Sequence, residues 1–144
     1  MNTAPYCNID GAPEYGLTVY YDGSCPLCSA EVGYYTSRVG GEKLRLVDVS
    51  DDGANLGSNL SRGAAMKRFH VRRSDGKLIS GAAAFVAVWD ELPGWRRIAR
   101  TARTPGMQSL LELAYRMFIK VRPKISVAYV MIFGKTHRLA KPLK

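Results

Sequence analysis

Apolar positions recur along this chain with two different periods, and the switches between them outline its elements. Residues 17–21, Leu-Thr-Val-Tyr-Tyr, form a β-branched and aromatic run that predicts a buried first strand. Asp22-Gly23-Ser24 then turns the chain, and Pro26 suits the first position of a helix, where a missing N–H costs nothing. The pattern carries that helix to about residue 39, with Gly40-Gly41 as its stop. Residues 44–49, Leu-Arg-Leu-Val-Asp-Val, read as a second strand. Strand, helix and strand in this span predict a βαβ unit with parallel strands and a right-handed crossover.

A polar loop over residues 50–59 leads to a short helix at 62–68 and a third strand at 69–73. Ser74-Asp75-Gly76 is a hairpin turn into a fourth strand at 77–80. Residues 82–92 predict a helix with Phe85, Val88 and Trp89 at helical spacing, ended by Pro93-Gly94. A basic helix at 95–103 stops before Thr104-Pro105-Gly106. Residues 107–122 then form an amphipathic helix with Leu110, Leu113, Ala114, Met117 and Val121 on one face. The pattern breaks at Pro123. Three parts follow: a flexible leader at 1–16, a core at 17–93, and a basic helical extension at 94–144 packed on that core.

Composition narrows the classes. A chain of 144 residues fits one domain that buries roughly two-thirds of its unfolded surface. No segment nears the roughly 20 apolar residues that span a bilayer. Residues 1–7 lack the basic start and apolar run of a secretory signal, so the expectation is a cytoplasmic protein with free thiols. The net charge of +9 is uneven: residues 1–93 balance to −2 and residues 94–144 to +11. Such a basic end suits an acidic protein partner or an anionic membrane surface, or is simply a solvated face. Nucleic acid is not expected, because no aromatic stacking platforms are interleaved with the basic residues.

The chemistry concentrates at Cys25-Pro26-Leu27-Cys28, which opens the first helix directly after the first strand. A close thiol pair can form a redox disulfide, help hold zinc, or simply be buried. A structural zinc site needs four ligands, and the others on offer are Cys7, His70 and His137, scattered and unpaired. Thiol–disulfide exchange is the better use, with no metal and no cofactor, on a thiol or disulfide of a protein or small molecule. The helix N-terminus favours a thiolate at Cys25, which would attack. Cys28, one turn further in and more buried, would resolve the mixed disulfide. Asp22 either relays a proton to Cys28 or serves only the turn. Pro26 and His70 are candidate supports, since the start of the third strand can approach the dithiol. Glu31 reads as an exposed helical acid, Cys7 as a free thiol and His137 as solvated.

The order β-α-β-α-β-β-α, with the dithiol at the first strand-to-helix junction, is that of a thioredoxin-like α/β domain with extra C-terminal helices. The chain also resembles the DCC family of thiol–disulfide oxidoreductases. The match runs through Tyr21-Asp22-Gly23-Ser24-Cys25-Pro26-Leu27-Cys28 and Glu31, then His70-Val71, Asp75-Gly76 and Gly81. It continues at Ala84-Phe85, Trp89, Leu92-Pro93, Pro105-Gly106 and Ala114-Tyr115, covering residues 17–122. The resemblance implies a thioredoxin-like fold and dithiol chemistry in which Asp22, Cys25 and Cys28 take the signature roles. Unlike thioredoxins proper, this chain has no proline immediately before its third strand.

Overall fold

Four strands form one mixed sheet, in the order β2-β1-β3-β4, in the computed structural model, which describes residues 15–133. Strand β1 (Leu17–Tyr21) is central and pairs in parallel with β2 (Leu44–Asp48). On its other side β1 pairs antiparallel with β3 (His70–Arg73), which pairs antiparallel with β4 (Leu78–Ser80). Five α-helices are described: α1 (Pro26–Thr36), α2 (Arg62–Lys67), α3 (Ala82–Glu91), α4 (Arg96–Ala102) and α5 (Met107–Phe133). The element order and the parallel β1–β2 pair are those read from the sequence. Cys7, His137 and all but the last two residues of the expected leader lie outside the described residues.

Alternation along β1 supplies two cores. Leu17, Val19 and Tyr21 point to one face, where they meet Val32 and Tyr35 of α1 and Ala84 and Val88 of α3. Tyr20 points to the other face, against Val49, Leu60 and Ala65. Both faces of β1 are therefore covered, which suits its unbroken apolar run. A third cluster, Val86 with Ala99 and Ala102, seats α4 on α3.

Two boundaries differ from the sequence reading by more than one residue. Helix α1 ends at Thr36, three residues early, because side chains compete for its last carbonyls. Thr36 Oγ1 donates to the carbonyls of Val32 and Gly33, and Ser37 Oγ donates to that of Tyr34 at 2.7 Å. Helix α5, in contrast, continues through Pro123 to Phe133. A proline removes one backbone donor from a helix without removing the contacts of the turns beside it. Here Arg122 and Ser126, on either side of Pro123, both bond to groups at the start of α1.

The orientation of α5 is the larger correction. The face expected to be apolar, with Leu110, Leu113, Ala114, Met117 and Val121, is turned to solvent. The helix packs on α1 and α3 through its opposite side, which carries Leu111, Tyr115, Phe118 and Ile119. Specific bonds select that side. Tyr115 Oη accepts from the Phe69 N–H at 2.7 Å, and its ring meets Phe85, which stacks on Phe69. Glu112 pairs with Arg68 and accepts from the Ala82 N–H at 3.1 Å. That last bond caps α3, whose N-cap is Gly81 at φ 70° with no side chain of its own to offer.

Candidate active site

The dithiol sits where β1 hands over to α1, and the loop between them is tightly held. The Cys25 N–H donates to the Asp22 carbonyl at 3.1 Å, closing a turn. Asp22 Oδ1 accepts from the backbone and hydroxyl of Ser24. The Gly23 N–H donates to Asp48 Oδ1 at 2.8 Å from the end of β2. A Cβ on Gly23 would lie 1.9 Å from the Asp48 carboxylate and would have to displace the oxygen that accepts from the Gly23 N–H. Pro26 fills the first helical position as expected.

Cys25 is the N-cap residue of α1, with extended backbone at φ −89° and ψ 113°. Its sulfur takes the place of a capping oxygen and accepts from the Cys28 N–H at 3.4 Å. A second contact comes from across the molecule: Ser126 Oγ of α5 lies 3.5 Å from the same sulfur. The Arg122 guanidinium forms a 3.1 Å ion pair with Asp22 Oδ2, and its positive charge favours a thiolate at Cys25. Both partners of that pair are largely buried, at 18% and 12% side-chain exposure.

These donors sort the two thiols electrostatically. The Cys28 thiol donating to the Cys25 sulfur has the largest effect and, against the opposing cost of burial, pulls the Cys25 thiol down to about 4. Ser126, the Cys28 N–H and Arg122 add to it. The Cys28 thiol is pushed well up, first because its proton is shared with Cys25, then by burial and by the neighbouring thiolate. At neutral pH the pair therefore holds one thiolate, at Cys25, and one thiol, at Cys28. Both cysteines are unbridged.

Exposure is reversed from the sequence expectation. Cys25 is the more covered of the two, at 6% exposed, because α5 passes over it. Cys28 lines a narrow apolar cleft between α1, α5 and the near ends of β1 and β3. Phe69, Phe85, Tyr115, Phe118 and Ile119 form its walls. Its free volume of about 30 Å³ is room for one or two waters.

Glu31 opens onto the same cleft, one helical turn after Cys28, so it is not the exposed acid that its helix position suggested. Its Oε1 accepts from Tyr35 Oη at 2.7 Å, and that hydroxyl accepts from Trp89 Nε1 at 3.1 Å. Burial is the main reason that its carboxyl is held above the usual range. Asp22, which the sequence offers as a relay or a turn residue, holds the turn and is also the counter-ion of Arg122. Its negative charge is thereby neutralised beside the Cys25 thiolate.

His70 is not brought to the dithiol. It stands opposite Tyr20 in the sheet and so shares the α2 face. Its Nδ1 is 2.7 Å from the Arg68 carbonyl, and burial lowers its pKa. Arg122 and Ser126 are the residues that the sequence reading missed. A signal was present: Leu111, Tyr115, Phe118, Arg122 and Ser126 fall on one helical stripe, and a cation on an otherwise apolar stripe asks for a buried anion. Among the described residues, no cluster of three or more His, Cys, Asp or Glu side chains could hold a metal ion.

A sequence model of the DCC1-like thiol-disulfide oxidoreductase family matches residues 19–128, a span that includes the dithiol, Arg122 and Ser126. Among curated proteins, the chain is similar to an uncharacterized chloroplastic protein of Arabidopsis thaliana. The two are 28% identical over 116 residues, which make up 76% of this chain and 52% of that protein. The chain thus spans about half the length of this relative. No solved structure matches. No helix among the described residues is long and apolar enough to cross a membrane.

Proposed function

Because the chain belongs to the DCC1-like thiol-disulfide oxidoreductase family, we propose that it exchanges disulfides through Cys25 and Cys28 on a thioredoxin-like scaffold. The sheet order, the parallel β1–β2 pair and the position of the dithiol support the scaffold. The observation that carries the chemistry is the pair of groups converging on the Cys25 sulfur, the Cys28 N–H and the Ser126 hydroxyl, beside the Arg122–Asp22 ion pair.

The Cys25 thiolate attacks a substrate disulfide. A Cys25–substrate S–S bond forms, the substrate S–S bond breaks, and the first substrate sulfur leaves as a thiolate that takes a proton from water. Cys28 must then lose its proton. Asp22 has its oxygens committed to Ser24 and Arg122, whereas Glu31 faces the Cys28 cleft and burial raises its affinity for a proton, so Glu31 is the proton acceptor. The Cys28 thiolate attacks the Cys25 sulfur, the Cys25–Cys28 disulfide forms, and the second substrate thiolate departs. The protein dithiol is oxidised by two electrons and the substrate disulfide is reduced. Run backwards, the same steps oxidise a substrate dithiol.

A substrate reaches Cys25 only when the Ser126 turn of α5 moves aside. A reducing compartment such as the cytoplasm suits the free thiol pair.

Trapping tests the reading. Cys28→Ser should accumulate mixed disulfides with model disulfides and Cys25→Ser should form none. Glu31→Gln should leave alkylation of Cys25 unchanged and slow the second step, so that the mixed disulfide persists. If Cys25 is alkylated at neutral pH no faster than free cysteine, the proposal fails.

A further inference from the structure

The outward side of α5 has no role in the dithiol chemistry. Leu110, Leu113, Met117 and Val121 lie along it at helical spacing, each between 45% and 64% exposed. Lys120 and Lys124 stand on the same arc and make no ion pair among the described residues. The helix has one acid, Glu112, which is turned inward onto Arg68 and the Ala82 N–H. The surface is therefore an apolar ridge edged by cations, with no negative charge to balance them.

Charge selects what can cover it. A second copy of the chain would set one +11 segment against another. Residues 134–144 add Lys135, Arg138, Lys141 and Lys144, so the sequence that follows α5 has the same sign. A helix of 27 residues with a continuous apolar arc and flanking lysines matches the interface of an anionic bilayer. The apolar arc enters the headgroup–acyl boundary while the lysine stems extend along it and place their ammonium groups among lipid phosphates.

We propose that α5 docks this protein on anionic lipid surfaces through Leu110, Leu113, Met117 and Val121, with Lys120 and Lys124 contacting headgroup phosphates. The helix lies in the interface and does not span it. The proposal does not rest on disulfide exchange, because the docking residues and the dithiol occupy opposite sides of α5.

Sedimentation of the full chain with vesicles provides the test, at low and at physiological salt. Binding is expected to vesicles of phosphatidylglycerol and phosphatidylcholine, to weaken with salt, and to be absent with phosphatidylcholine alone. Lys120→Gln and Lys124→Gln should each weaken it about five-fold. Leu113→Glu combined with Met117→Glu should weaken it at least about ten-fold without changing the far-ultraviolet circular dichroism or the rate of Cys25 alkylation. Cys25→Ser should bind as the natural chain does, which separates this result from any failure of the redox chemistry. The proposal is overturned by absence of binding at low salt, or by binding indifferent to the Leu113/Met117 pair. Equal affinity for soluble polyglutamate would assign the face to an acidic protein, and a dimer abolished by the same pair would assign it to a second copy. Either result overturns the lipid proposal.

Discussion

The two sides of α5 carry similar densities of apolar residues at similar spacing, yet one is sealed and the other faces solvent. The sealed side differs in its polar atoms. Tyr115, Glu112, Arg122 and Ser126 each meet a specific partner in another element: the Phe69 N–H, Arg68, Asp22 and the Cys25 sulfur. On the outward side Lys120 and Lys124 make no such bond among the described residues. Hydrophobic periodicity measures how much surface a helix can bury, and the satisfaction of its polar atoms decides which way it turns.

Changing the pH tests the sealed side without a mutation and should give the largest effect. The Cys25 pKa falls from 9.0 to about 4 on folding. Its contribution to the stability of the reduced protein is then full above about pH 9 and lost progressively as the pH falls towards 4. The oxidised protein has no titrating thiol at this position. The difference between reduced and oxidised melting temperatures should therefore shift against the reduced form as the pH falls from about 9 to about 4, a window in which the raised Cys28 thiol stays protonated. A constant difference would dissolve the distinction between the two sides at its strongest point.

Arg122→Ala should come next. It leaves the buried Asp22 carboxylate uncompensated, at a cost of about 3 kcal/mol measured by urea unfolding. The same change should move the midpoint of the Cys25 alkylation profile upward by about one pH unit, while alkylation at neutral pH changes little because the thiolate still dominates there. Tyr115→Phe removes only the acceptor for the Phe69 N–H and should cost about 1 kcal/mol. On the outward side, Leu113→Gln should alter unfolding by no more than about 0.5 kcal/mol. A larger loss there would show that the face is covered in the free protein.

Local chemistry was readable where the chain's own neighbours decide the structure. The β1 run, the Asp22-Gly23-Ser24 turn, Pro26 at the head of α1 and the Ser74-Asp75-Gly76 hairpin all depend on contacts within a few residues. The element order followed from them. The choice between the two sides of α5 did not, because Arg122 reaches Asp22 across 100 residues and Ser126 reaches Cys25 across 101. Exposure of the two cysteines was misjudged for the same reason: helix geometry alone buries Cys28, but it is α5 that covers Cys25. Glu31 appeared to be a surface acid until α3 and α5 supplied the Trp89–Tyr35 chain and the cleft wall.

Using a sulfur as the N-cap of α1 has a consequence for electron affinity. A charged sulfur accepts hydrogen bonds far better than the neutral sulfur of a disulfide. The Cys28 N–H and the Ser126 hydroxyl, with the positive charge of Arg122 nearby, therefore favour the reduced state over the oxidised one. Every increment of about 1.4 kcal/mol in that preference raises the potential of this two-electron couple by about 30 mV. In the proposed exchange, the capping geometry thus favours the direction in which a Cys25–Cys28 disulfide takes electrons from a substrate dithiol, the reverse of substrate reduction.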